Sequence, residues 1–270
     1  MRKNLIIFAL GLSLLCAAAW ADKISGTVKQ DDFQDRNQVI DALTGAPVSG
    51  ASVTIPSNNY RVKTDRNGHF ELKTNIDSNA ILSIEKDGYR PFSITIGREA
   101  LKNPMKLGIE QSRATDLTIE SELCHLGDDL FSHNSANSYQ FRGKAVGPFY
   151  SRDFDLMPPN SGEVAVLIIG SIIGLDTKMA KELGQNRLAT IYSSPAEVFF
   201  NGQKIGELHI NGDNQEIVIP NALIKPRKNN LTIKTGRNLF QNAYIDYDDI
   251  EIMNLRVETK SKPVYADATY

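Results

Sequence analysis

The stretch Val164–Leu175 is apolar at nearly every position, yet at twelve residues it is too short to span a bilayer as a helix. A centrally buried strand accounts for it. Strand signals recur on both sides, at Asp116–Leu123, Ser138–Arg142, Ala196–Asn201, Gln215–Ile219, Asn230–Thr235 and Asp249–Val257, so this part of the chain is predicted to form a β-sandwich. Asp176–Gly184 has an Asp cap, helix formers and a terminal Gly, which predicts one short helix. Asn201-Gly202 and Asn211-Gly212 predict hairpins, because Asn and Gly accept the backbone conformation of a tight reversal.

A second, earlier set of short runs lies at Ile24–Val28, Ala51–Ile55, Tyr60–Thr64, His69–Lys73, Ile81–Glu85 and Phe92–Ile96. Asp65-Arg66-Asn67-Gly68 predicts a hairpin between two of them, with Phe70 and Leu72 on one face. The 41% hydrophobic and 23% charged composition excludes wholesale disorder, and 270 residues accommodate two domains. Apolar alternation fades across Arg98–Thr115, which places the joint near Gln111–Thr115. The fold class is thus all-β, with a small sandwich over 22–111, a larger one over 112–258 and a flexible tail over 259–270.

Residues 1–21 combine basic Arg2 and Lys3, an apolar stretch from Leu5 to Ala19 and the small-residue site Ala19-Trp20-Ala21. This is the pattern of a cleaved secretory signal peptide, so the expected location is periplasmic or extracellular, with no membrane span in the mature chain. Cys16 follows two leucines instead of a small residue, which argues against lipidation. Beyond residue 21 the one cysteine is Cys124, so no intramolecular disulfide is available, and its apolar-alternating surroundings read as a small buried hydrophobe. The 30 basic residues are balanced by 32 acidic ones without a basic block, which excludes nucleic acid as an expected partner.

The residues Gly26-Thr27-Val28, Gly45-Ala46-Pro47-Val48-Ser49-Gly50-Ala51-Ser52-Val53, Thr64-Asp65-Arg66-Asn67-Gly68-His69-Phe70 and Lys86-Asp87-Gly88-Tyr89 resemble the carboxypeptidase regulatory-like domain, a transthyretin-like sandwich of exported bacterial proteins. The resemblance implies a folding, spacing or binding module without catalytic machinery. A polar insert, Gln30–Asp41, departs from the family pattern and carries Asp31, Asp32 and Asp35. In the second half, Val198–Gly206, Ile217-Val218-Ile219-Pro220, Lys228–Gly236 and Asp248–Leu255 resemble galactose-binding-like jelly rolls. That likeness implies a carbohydrate-binding or other noncatalytic module, and no ligand residues carry over with it.

Two groups are candidate sites. His125, Asp128, Asp129, Phe131, His133, Asn134 and Asn137 fall in one polar loop, where carboxylates, amides and an aromatic face suit sugar hydroxyls and a sugar ring. Asp246, Asp248 and Asp249, with Glu251 nearby, offer the hard oxygens of a structural calcium site, although no cofactor is required. Strand alternation would point Asp248 and Asp249 to opposite faces. No H-E-x-x-H, nucleophile elbow or phosphate-binding loop occurs, so the chain is not expected to be an enzyme. The expected function is noncatalytic glycan binding, with a structural or adhesive module that recognises protein at the cell envelope as the alternative.

Overall fold

The computed structural model describes residues 36–130, 141–185, 191–240 and 242–262. The signal-peptide segment, the strand expected at Ile24–Val28 and the aspartates at 31, 32 and 35 lie outside the described residues, as does most of the Ser138–Arg142 strand. The described part is all-β, in two stacked sandwiches.

The first sandwich opens with β1 (Asn37–Asp41), followed by β2 (Ser52–Ile55), β3 (Tyr60–Lys63), β4 (His69–Phe70), β5 (Ala80–Glu85), β6 (Phe92–Ile96) and β7 (Lys106–Ile109). Its two sheets have the orders β4-β1-β7 and β3-β2-β5-β6, with β1 and β7 parallel. Val39, Val53, Ile55, Leu82, Ile84 and Ile109 close the core between them.

Two expectations are corrected here. Strand β1 lies inside the segment read as a polar insert, because its second inward residue is a carboxylate. Asp41 is buried and accepts hydrogen bonds from the backbone of Leu43 and Thr44, the hydroxyls of Thr44 and Tyr89, and the amide of Gln111. A four-to-five-residue strand with one such position has no apolar alternation to read. The reversal at Asp65–Gly68 does form, with Gly68 N–H donating to Asp65 O. It is a corner and not a hairpin, since β3 pairs with β2 while β4 pairs with β1 in the opposite sheet.

The Thr44 N–H, then Gln111, hold the Asp41 carboxyl well below the usual carboxylate range. A folded-state value below the unfolded one, about 3.9, means that this contribution is present above roughly pH 4 and is lost as acid protonates the folded carboxylate. An Asp41→Asn variant should therefore melt below the parent at pH 7, and the gap should begin to narrow below about pH 4 and close only well below pH 3. Thermal melts across that range check it; a gap that stays constant with pH refutes the assignment.

The second sandwich contains β8 (Leu117–Glu120), β9 (Cys124–Leu126), β10 (Phe149–Leu156), β11 (Glu163–Ile173), α1 (Lys178–Glu182), β12 (Ala196–Phe200), β13 (Gln203–Leu208), β14 (Gly212–Ile219), β15 (Arg227–Lys234) and β16 (Ile250–Ser261). One sheet runs β14-β11-β16-β8, with β9 also on β16, and the other runs β10-β15-β12-β13. Leu167, Ile169, Phe200, Leu231, Ile233 and Leu255 pack between them. Cys124 packs against this core, and burial pushes its thiol up to about 11, so little thiolate exists at neutral pH. The short helix starts one residue later than its expected cap, with Thr177 Oγ1 accepting the Ala180 N–H at 3.0 Å.

Asn201-Gly202 turns β12 into β13 as expected. Asn211-Gly212 does not make a hairpin, because β13 and β14 belong to different sheets and the chain crosses the sandwich there. Strand β16 also runs to Ser261, three residues into the segment read as tail.

Residues of β5 and β6 that point away from the first core meet the outer face of β11 and β16. Ile81 packs on Ile173 and Met253. Around that contact the seam is hydrogen-bonded: Ser171 Oγ to Ser93 Oγ at 2.9 Å, Thr95 N–H and hydroxyl to Asp213 at 2.9 Å, and Asn254 Nδ2 to Ser83 Oγ at 3.3 Å. A Cβ at Gly170 would lie 2.6 Å from both Ser93 Oγ and Asn254 Cβ, so the close approach depends on that glycine. Arg90 ends the seam, reaching Asp116 at 2.7 Å, Glu110 at 2.5 Å and Glu258 at 3.5 Å. Burial on both faces explains why β11 lacks the alternation of a half-exposed strand.

Candidate functional site

At one end of the second sandwich, β9 and the turn after it meet the 141–148 segment on one side and the residues just before β16 on the other. His125 sits on β9 opposite Glu251 of β16 and is buried. Its Nδ1 lies 2.7 Å from Gly143 O, its Nε2 lies 3.3 Å from Asp249 Oδ1, and its ring centroid is 4.8 Å from that of Phe141. Burial pulls the imidazole toward the neutral form, but Asp249 and the Gly143 carbonyl outweigh it, and the pKa is raised.

Asp128 and Asp129 brace backbone. Asp128 accepts the N–H groups of Leu130 at 3.1 Å and Tyr247 at 3.0 Å, tying the loop to the residues just before β16. Asp129 accepts the Ala145 N–H on its carboxylate and donates its own N–H to Asp249 Oδ1 at 3.1 Å. Gly127, at φ +148°, passes so close to Asp249 that a Cβ would fall 2.2 Å from Oδ1. Phe131, His133, Asn134 and Asn137 lie outside the described residues.

The three aspartates expected to share a cation are all fully buried, but each has its own partners. Asp249 joins His125 and Asp129. Asp248 Oδ2 accepts the Asp176 N–H at 3.0 Å, and its carboxyl is raised well above the usual range by burial and then by the Asp176 carboxylate. Asp246 takes a hydrogen bond from Asn238 Nδ2 at 3.2 Å. Among the described residues, the ligand atoms that converge are those of His125, Asp129 and Asp249, all within 4.8 Å of one another. Reading the sequence missed this grouping because His125 and Asp129 lie four positions apart, while Asp249 lies more than a hundred positions beyond both.

Beside this cluster a cleft of about 680 Å³ opens between the two sandwiches. Asp77, Asn79 and Arg98 line it from the first, and Phe141, Arg142 and Glu251 from the second. Arg142 crosses to Asp77 at 2.9 Å. Glu251 is 1% exposed, and burial pushes its carboxyl up to about 7. Neither the cleft nor the first-sandwich residues on it stood out in the sequence, since only packing brings residues 77–98 beside 141–142 and 251.

Residues 37–118 match the family model of the CarboxypepD_reg-like domain. That segment covers the first sandwich and the turn into β8, and the family is a noncatalytic immunoglobulin-like fold. No curated protein matches the chain. Among the described residues, no helix is long and apolar enough to cross a membrane.

Proposed function

We propose that the chain is an exported, noncatalytic glycan-binding protein of the cell envelope, with residues 1–21 as its export signal and the second sandwich as a galactose-binding-like jelly roll. The observation that carries this reading is the cleft between the sandwiches. Its walls combine amides, two arginines, carboxylates and one aromatic ring, a mixture suited to oriented hydrogen bonds with sugar hydroxyls beside an apolar ring face. On this reading Asp128 and Asp129 shape the adjoining loop and do not contact the sugar. On this reading the cleft binds without turnover: Asp248 and Asp249 do not line it, and Asp77, which does so opposite Glu251, is held in an ion pair by Arg142.

Residues 22–270 probed on a glycan array, with and without calcium, should give selective weak binding and no product. An Asn79→Ala, Arg98→Ala double variant should weaken the best signal by about tenfold, the equivalent of roughly 1.4 kcal/mol. One observation favours protein recognition instead: Leu239, Phe240, Tyr244 and Ile245 are each about half exposed on one loop. An array without any signal would leave that reading in place of the glycan one.

A further inference from the structure

The geometry points to a divalent transition-metal site of the zinc class, formed by His125 Nε2, Asp249 and Asp129. The argument begins at the other side of the imidazole. Gly143 O can only accept, so the 2.7 Å contact fixes the hydrogen of a neutral ring on Nδ1 and turns the Nε2 lone pair inward. That lone pair meets Asp249 Oδ1, a second acceptor, at 3.3 Å, in a contact that lacks the alignment of a hydrogen bond. The His125 side chain is 4% exposed and that of Asp249 is 0% exposed, so water does not relieve the opposition. Asp249 Oδ2 also has no hydrogen-bond partner among the described residues.

A cation between these atoms resolves all three features. Ligand bonds of about 2.0–2.1 Å in tetrahedral geometry place two ligand atoms roughly 3.3–3.4 Å apart, which is the spacing already present between Nε2 and Oδ1. Asp129, whose side chain is exposed, closes toward the same point from within 4.8 Å. The hydrogen bond from Nδ1 to a backbone carbonyl is the outer contact that orients a metal-binding histidine. The nitrogen ligand distinguishes the site from a calcium site, which takes oxygen. The ion would tie β9, the 127–130 turn and the start of β16 together, the work that a disulfide does in chains with more cysteine.

The test uses the chain from residue 22 onward, stripped with a chelator and titrated calorimetrically with zinc and, separately, calcium. Zinc should bind one ion per chain and raise the melting temperature, and cobalt should give the visible d–d bands of a nitrogen–oxygen site. His125→Gln should abolish both signals. If that variant fails to fold, Asp129→Asn keeps an acceptor for Ala145 N–H and alters an exposed side chain, so it should fold normally while losing zinc affinity by at least about tenfold. Absence of zinc binding overturns the proposal. So does zinc binding that survives Asp129→Asn unchanged, or a site that takes calcium as tightly as zinc.

Discussion

A Ser93→Arg chain is expected to melt in two steps, with the seam between the sandwiches opened and each core still intact. Ser93 is 2% exposed, its hydroxyl meets Ser171 at 2.9 Å, and Gly170 lies beside it. The carboxylate beside that point is Asp213, whose Oδ1 is already bound by Ser171 and Thr95. An uncompensated buried charge costs about 3–5 kcal/mol, more than a hydrogen-bonded seam of this size holds in reserve. The two cores are separate clusters of buried side chains, so each keeps its own packing when the seam parts. Calorimetry resolves the outcome. A single transition at the parent temperature would mean that the seam contributes nothing to cooperativity.

Phe200→Ala should remove about 3–5 kcal/mol from the second sandwich, the usual cost of deleting a large buried aromatic. The ring is fully buried and meets Phe154 edge-on with centroids 6.1 Å apart. Its strand, β12, is paired on both sides, which limits how far the backbone can collapse into the space left behind. Denaturant melts of the full chain read the loss directly. Combined with Ser93→Arg, the substitution should shift one of the two transitions and leave the other in place, which also assigns the transitions to their sandwiches. A loss under about 1 kcal/mol would mean that the site collapses or that the ring is not at the centre of the packing.

What could be read in advance followed the period of two. Runs such as Ala196–Phe200 and Arg227–Lys234 alternate because one face is buried and the other is not. Glu163–Ile173 was legible for the opposite reason, its unbroken apolar run, but nothing in the run says what covers its second face. That face is the first sandwich, reached through contacts between residues 78 to 171 positions apart, made largely by Ser, Thr, Asn and Asp side chains that look like surface when read alone. Strand β10 went unread because SRDFD is charged; it is an edge strand paired only with β15, so it has no need to be apolar. The candidate site behaves similarly. His125 and the aspartates near 128 and 248 were recognisable as chemistry, yet their grouping depends on β9 pairing with β16, a register that local spacing does not encode.

Strand β16 has a consequence for the order in which the molecule can assemble. It lies in the interior of its sheet, flanked by β11 and by β8 and β9, and it is synthesised after all of them. Val257 pairs with Leu117, 140 positions earlier, so the sheet cannot close until almost the whole second sandwich has left the ribosome. Pairings of such long range pay their loop-closure entropy before any contact is made, which slows folding. Until then one edge of β11 lacks its strand partner, and β8 and β9 have no strand to pair with in that sheet.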